Sequence, residues 1–157
     1  MLRIITKRKN QLSNNEIYKI CKLKESYWKY GIKSQLSWFD KNVKKTDYNN
    51  MIFFNNNLIG YTLMRVDNLI KKKNYNKKTL LIDSVIVKKN LRKKGISKIL
   101  MQYNNYIINQ LKLEAVLMCK KNLLNFYKIF KWGRIKKKMY NINKDVKKNF
   151  VILRYNN

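Results

Sequence analysis

The chain has 157 residues, 45% of them hydrophobic and 13% aromatic, which is apolar surface for one core and argues against a disordered chain, so a single domain over residues 1–157 is expected. With 37 Lys and Arg against 8 Asp and Glu, the net charge of +29 favours phosphorylated ligands or nucleic acid over cations, although a coding sequence rich in A and T would produce the same excess of lysine without a function. The absence of histidine excludes Ser-His-Asp and Cys-His catalysis and His-ligated metals, and leaves carboxylates, Tyr, Lys and backbone groups to do any chemistry.

Cys21 and Cys119 lie far apart inside apolar stretches, a pattern of buried thiols in a reducing compartment rather than of a disulfide frame or a metal site. Met1 to Asn10 alternates basic and apolar residues, and no later stretch approaches the about 20 apolar residues of a membrane span. A cytoplasmic protein with no membrane contact and no metal is the expectation.

In chain order, Leu2 to Thr6 has the apolar density of a first strand, and Lys7 to Asn10 reads as a basic turn. Ser13 and Glu16 form a capping-box pair, followed by Ile17, Ile20, Cys21, Lys24, Tyr27 and Trp28 at helical spacing, with Gly31 as the stop. Leu36, Phe39 and Val43 predict a second helix over about 33–45. Met51 to Phe54 and Leu58 to Val66 are strands joined by Asn55, Asn56 and Asn57, residues that tolerate the positive φ of a hairpin turn. Asp67 to Thr79 reads as a solvated basic loop. Leu80 to Val87, interrupted by Asp83 and Ser84, reads as a central strand buried on both faces. Ile96, Ile99, Leu100, Tyr103, Ile107 and Leu111 mark one face of a helix. Ala115 to Cys119 is a short strand, Leu123 to Phe130 a short helix, and Arg134 to Tyr140 and Phe150 to Tyr155 two closing strands around a polar stretch.

The segment Val87-Lys88-Lys89-Asn90-Leu91-Arg92-Lys93-Lys94-Gly95-Ile96-Ser97 is a basic loop between a central strand and a helix. Unpaired N–H groups and the positive end of the dipole make such a helix start a seat for phosphate, and ligands of α/β sheets sit at the carboxyl ends of central strands. A tight-turn glycine among solvated lysines remains the plainer alternative. Neither the dinucleotide-binding nor the P-loop glycine pattern occurs.

Arg92-Lys93-Lys94-Gly95-Ile96-Ser97 resembles motif A of the GNAT superfamily of acyl-CoA N-acyltransferases, Gln/Arg-x-x-Gly-x-Gly/Ala. Leu117-Met118-Cys119 followed by Asn125-Phe126-Tyr127-Lys128-Ile129-Phe130-Lys131-Trp132 resembles its motif B. Ser97, Lys93 and Lys131 depart from the pattern, the last two where glycine is usual. The resemblance spans Leu80 to Trp132 and implies an α/β (α+β) fold. Its central sheet is mixed, mostly antiparallel and twisted, with about seven strands and about four helices in the order β-α-α-β-β-β-α-β-α-β-β, the order already read from periodicity.

The resemblance further implies acetyl-CoA as acyl donor, with the pyrophosphate on backbone N–H groups of Arg92, Lys93, Lys94, Gly95, Ile96 and Ser97, and with the pantetheine arm and thioester carbonyl paired with backbone around Val85 and Val87. Tyr127 would protonate the departing thiolate, and Asp83, where relatives often carry Glu, would accept the amine proton. Asn122, at the entry to the short helix, is a further cofactor-side candidate. For each there is a structural alternative: a packed aromatic for Tyr127, a paired carboxylate for Asp83, a helix N-cap for Asn122. Tyr27-Trp28-Lys29-Tyr30 and Trp38-Phe39 are candidates for the acceptor side or for plain packing. The acceptor expected from the charge is a small amine that is anionic overall, such as a phosphorylated or nucleotide-linked amino sugar, taken by a monomer or homodimer. The alternatives are a basic nucleic-acid-binding protein, an acetyltransferase acting on charged tRNA, and a GNAT-like fold that has lost turnover.

Overall fold

The computed structural model describes residues 1–67, 78–136 and 149–156. In order, the elements are β1 (Leu2–Arg8), α1 (Asn14–Glu25), α2 (Ile32–Asn42), β2 (Tyr48–Phe54), β3 (Asn57–Asp67), β4 (Thr79–Val87), α3 (Ile96–Leu111), β5 (Glu114–Lys120), α4 (Leu124–Lys128), β6 (Trp132–Ile135) and β7 (Phe150–Tyr155). Short 3-10 turns cover Lys9–Gln11, Lys89–Leu91 and Lys121–Leu123. The strands form one mixed, mostly antiparallel seven-stranded sheet in the order β1-β2-β3-β4-β5-β7-β6. The chain divides into two compact units, Met1–Arg65 with Ser84–Met101, and Val66–Asp83 with Gln102–Asn157.

In the first unit, β1 pairs antiparallel with β2 from Leu2↔Phe54 to Arg8↔Tyr48, and β2 with β3 from Tyr48↔Met64 to Phe54↔Asn57. Asn55 and Asn56 take φ of 46° and 62° in the connecting turn, as their tolerance of the left-handed region predicts. Successive residues of β2 face opposite sides. Met51 and Phe53 join a core with Ile20 of α1, Phe39 of α2 and Leu63, while Ile52 joins one with Ile59, Val87 and Leu100. β2 and β3 are buried on both faces, the polar Asn49, Asn50 and Thr62 included, whereas β4, the strand expected to be buried on both faces, is only half-buried at Leu81 and from Asp83 to Val85.

The capping box forms: Ser13 Oγ accepts the Glu16 N–H, and Glu16 Oε2 accepts the Ser13 N–H at 2.9 Å. Glu16 also takes the Lys7 ammonium at 2.8 Å, because β1 continues through Lys7 and Arg8 where a turn was expected. The first helix ends at Glu25, short of Gly31. Tyr27 and Trp28 both donate their N–H to the Lys24 carbonyl, tightening the last turn. Gly31, with φ of 86°, instead starts α2, and its carbonyl accepts the Gln35 N–H.

In the second unit, the first half of β4 pairs parallel with β5, from Thr79↔Glu114 to Ile82↔Leu117. β5 pairs antiparallel with β7, and β7 with β6. Trp132 is buried, and its indole N–H donates to Asn105 Oδ1 at 3.1 Å, while the Asn105 amide donates to the Phe130 carbonyl at 2.9 Å. That bridge fixes α3 against the turn that follows α4. The strand expected over Arg134 to Tyr140 is observed over Trp132–Ile135, and its residues 137–140 lie outside the described residues, as do most of the expected basic loop and most of the polar stretch before β7.

Candidate functional site

The loop of the first unit begins where β4 ends. The Lys88 N–H donates to the Ile59 carbonyl at 2.8 Å, tying the loop to β3. Leu91 and Arg92 donate to the carbonyls of Lys88 and Lys89, which closes the 3-10 turn. Lys93 (φ 61°) and Gly95 (φ 82°) are both left-handed, and the Gly95 carbonyl accepts the Ile99 N–H at 3.1 Å as the first bond of α3. The N–H groups of Ile96, Ser97 and Lys98 therefore have no partner within the helix. A Cβ built on Gly95 meets no protein atom within 4 Å, so the glycine is required by its φ and not by crowding. The surroundings of Lys93, Lys94 and Gly95 are exposed, and Ile96 and Ser97 are half-buried.

Arg92 has protein partners of its own. Its N–H is spent on Lys89, and its Nε donates to the Tyr27 hydroxyl oxygen at 2.6 Å with the guanidinium 4.3 Å from the ring centroid. The Tyr27 hydroxyl in turn donates to the Val87 carbonyl. The backbone donors left for an anion thus run from Lys93 onward, and the Val87 carbonyl, expected to be open to the pantetheine arm, is occupied by Tyr27. Tyr27 is the contributor that sequence reasoning misplaced: its helical spacing pointed to packing or acceptor contacts. Only the fold brings it to residues 60 and 65 positions away.

Within β4, Ser84 has φ of 58°, an unusual backbone for a non-glycine residue in a strand and a local cost of order 1–3 kcal/mol. It lies two residues after Ile82, the last position of β4 in the β5 ladder. Val85 is half-buried beyond it, packed on the core that contains Leu100.

Asp83, Asn122 and Tyr127 belong to the second unit. Asp83 is half-buried in β4 and has a partner within the structure. Asn122 is exposed in the 3-10 turn, and the N-cap of α4 is Leu123, with no side-chain cap, so Asn122 does not serve as the helix cap. Tyr127 is 7% exposed, with Phe126 edge-on at 5.1 Å. Burial, reinforced by the Cys119 thiol, pushes its hydroxyl well above the ordinary phenol range. Both cysteines are free and buried.

Two of the three motif departures share a backbone conformation. Lys131, like Lys93, adopts the left-handed conformation glycine would take, with φ of 65°. The turn is kept through Lys131 N–H to the Lys128 carbonyl and Asn156 N–H to the Lys131 carbonyl. Of the aromatics, Phe39 is core, Trp38 carries the Lys24 ammonium 3.7 Å from its ring centroid, and Trp28 and Tyr30 are exposed. Glu25 holds one carboxylate oxygen buried without a hydrogen bond, a feature with no sequence signal. Among the described residues no cluster of Cys, Asp and Glu could hold a metal ion, and no helix is long and apolar enough to cross a membrane.

Residues 14–131 match the family model described as the acetyltransferase (GNAT) family. Among solved structures, the chain is similar to Escherichia coli ElaA, with TM-score 0.74, 16% identity, and 99% of this chain and 100% of that one covered. An acyl-CoA N-acyltransferase from Pseudomonas aeruginosa gives TM-score 0.73 at 14% identity, with 99% and 100% covered. The PaiA N-acetyltransferase of Thermoplasma acidophilum, solved in complex with coenzyme A, gives 0.58 at 16%, with 99% of each chain covered. The curated proteins contain no match to this sequence.

Proposed function

The chain belongs to the acetyltransferase (GNAT) family, and from that premise we propose that it transfers an acetyl group from acetyl-CoA to the primary amine of a small, overall anionic acceptor, a phosphorylated or nucleotide-linked amino sugar being the class that suits its charge. The observation that carries the reading is the loop at the end of β4. The left-handed Lys93 and Gly95 lead into α3, whose first N–H groups have no helical partner, in a run of Lys and Arg with no acid. Anions are favoured there by both the dipole and the side chains. The pyrophosphate of acetyl-CoA would sit on the N–H groups of Lys93 to Ser97, with the thioester carbonyl meeting backbone N–H near Val85 and Val87 as an oxyanion donor.

In the transfer, the amine nitrogen attacks the thioester carbon, the C–N bond forms, the C–S bond breaks, and coenzyme A leaves as its thiol. One proton must leave nitrogen and one must reach sulfur. Asp83 takes the first, directly or through a water. Tyr127 supplies the hydrogen bond and proton to sulfur; its raised pKa keeps it protonated across the physiological range. A net charge of +29 works against polycationic acceptors such as polyamines.

Calorimetric titration at physiological salt, with ATP and a polyanion as controls, tests the donor. Saturable 1:1 binding of acetyl-CoA that ATP does not reproduce is expected; equal weak binding of all three would overturn the reading and favour nonspecific nucleic-acid attraction. Tyr127→Phe is expected to lower kcat by about 10²-fold or more with KM for acetyl-CoA unchanged. Asp83→Asn lowers turnover at neutral pH while sparing acetyl-CoA affinity. A full rate in either variant removes that residue from the mechanism.

A further inference from the structure

The first unit contains a second basic feature, built from α1 and the start of β3. A groove of about 420 Å³ is lined by Lys19, Lys22 and Lys88 together with Tyr18, Asn57 and Leu58, and none of its lining residues is acidic. None of these three lysines takes part in the ion pairs Lys7–Glu16 and Lys9–Asp40. Lys19 donates to the Asn56 carbonyl at 3.0 Å, which holds its ammonium at the groove. Lys88 is fixed by its own N–H on Ile59, next in sequence to the groove residue Leu58. Three like charges around one concavity repel one another, and an anion relieves that repulsion. The volume is that of a small-ligand site, within the roughly 300–1,000 Å³ of known pockets. Tyr18 and Leu58 offer a carbon skeleton an apolar wall.

We propose that this groove is a binding site for a phosphate-bearing small molecule, separate from the donors of the Lys93 to Ser97 loop. Lysine ammonium groups are point charges suited to phosphate oxygens, and the side-chain amide of Asn15 lines the same groove, that of Asn57 already donating to the Asn55 carbonyl at 3.2 Å. The assignment does not depend on acyl transfer: it would stand for a chain that binds no acetyl-CoA.

The test is calorimetric titration of the full chain with inorganic pyrophosphate at physiological salt, with excess coenzyme A present. Lys19→Gln/Lys22→Gln is expected to weaken pyrophosphate by about tenfold or more, whereas Lys41→Gln/Lys45→Gln, which removes the same charge from exposed positions outside the groove, shifts it less than about twofold. Equal losses in the two variants would overturn the site and leave only the general field of the protein, as would a parent chain that shows no saturable pyrophosphate binding. A groove that passes over pyrophosphate but retains an RNA oligonucleotide through Lys19 and Lys22 also overturns it. A panel of phosphorylated amines then separates two sources of the same chemistry. A compound bound through Lys19 and Lys22 that releases coenzyme A thiol from acetyl-CoA is the acceptor, and one bound there without release is a separate effector; either supports the groove. Titrating acetyl-CoA into the same variants keeps this result distinct from any failure of the loop.

Discussion

Lys93 and Lys131 hold φ of 61° and 65°, a conformation in which the Cβ of an L-residue crowds its own carbonyl at a cost of about 1–2 kcal/mol. Both stand where the family pattern usually has glycine, so the sequence departure and the backbone strain are one fact seen twice. Lys131 is exposed, and among the described residues its side chain makes no hydrogen bond or ion pair. Lys131→Gly is therefore expected to stabilise the chain by about 0.5–1 kcal/mol, part of the relief being offset by the greater freedom of glycine in the unfolded state. An unchanged or lower urea midpoint would show that the turn is not strained. Lys93 differs in that its N–H is one of the proposed phosphate donors, so the conformation there serves the ligand as well as the chain.

At the scale of elements, α1 does more than cover the sheet. The segment after it delivers Tyr27 to the end of β4, where the hydroxyl ties the Val87 carbonyl to the Arg92 guanidinium. Tyr27→Phe keeps the ring under Arg92 and removes both hydrogen bonds, each worth about 0.5–1.5 kcal/mol net. The expected result is a loss of about 1–2 kcal/mol in urea unfolding and an acetyl-CoA Kd raised several-fold; wild-type values for both would mean the loop is positioned without it. Periodicity placed most elements, including α3, and the capping-box pair Ser13 and Glu16 placed the start of α1. Periodicity overran α1 because Tyr27 and Trp28 continue the apolar spacing after the last helical turn has tightened. It also shortened β1, because Lys7 and Arg8 are basic yet lie in the β2 ladder.

At the scale of the whole molecule, stability depends on pH through groups that the core keeps protonated. Burial pushes the Cys21 thiol from 9.0 up to about 11, against the opposing pull of Lys24, and burial likewise pushes Cys119 up to about 11. Above pH 9.0 the unfolded chain releases thiol protons that the folded chain retains, so the unfolded state binds fewer protons and stability falls as pH rises from about 9 to 11. The loss is on the order of 2–3 kcal/mol per thiol by pH 11, with Tyr127 adding to it above the ordinary phenol pKa of 10.0. Urea unfolding at a series of pH values should be flat between about pH 6 and 8 and decline beyond 9, and Cys21→Ala/Cys119→Ala should flatten the first part of that decline. In acid the Glu16 carboxylate, raised by burial but held below its usual range by Lys7 and Ser13, gives a separate loss as it is protonated. A midpoint independent of pH up to 10 would place the thiols in contact with water.

The sequence by itself determined the order of strands and helices, the helix cap at Ser13 and the basic loop before α3, because each rests on residues close together in the chain whose spacing or hydrogen-bonding chemistry acts locally. The tertiary structure decided the rest. Tyr27 reaching Val87 and Arg92, Lys19 and Lys22 sharing a groove with Lys88, the left-handed φ of Ser84 and Lys131, and the raised pKa of Tyr127 depend on which distant segments pack together and on what water they exclude. Those quantities carry no periodicity in the chain, since they are set by long-range packing and by the desolvation that follows from it.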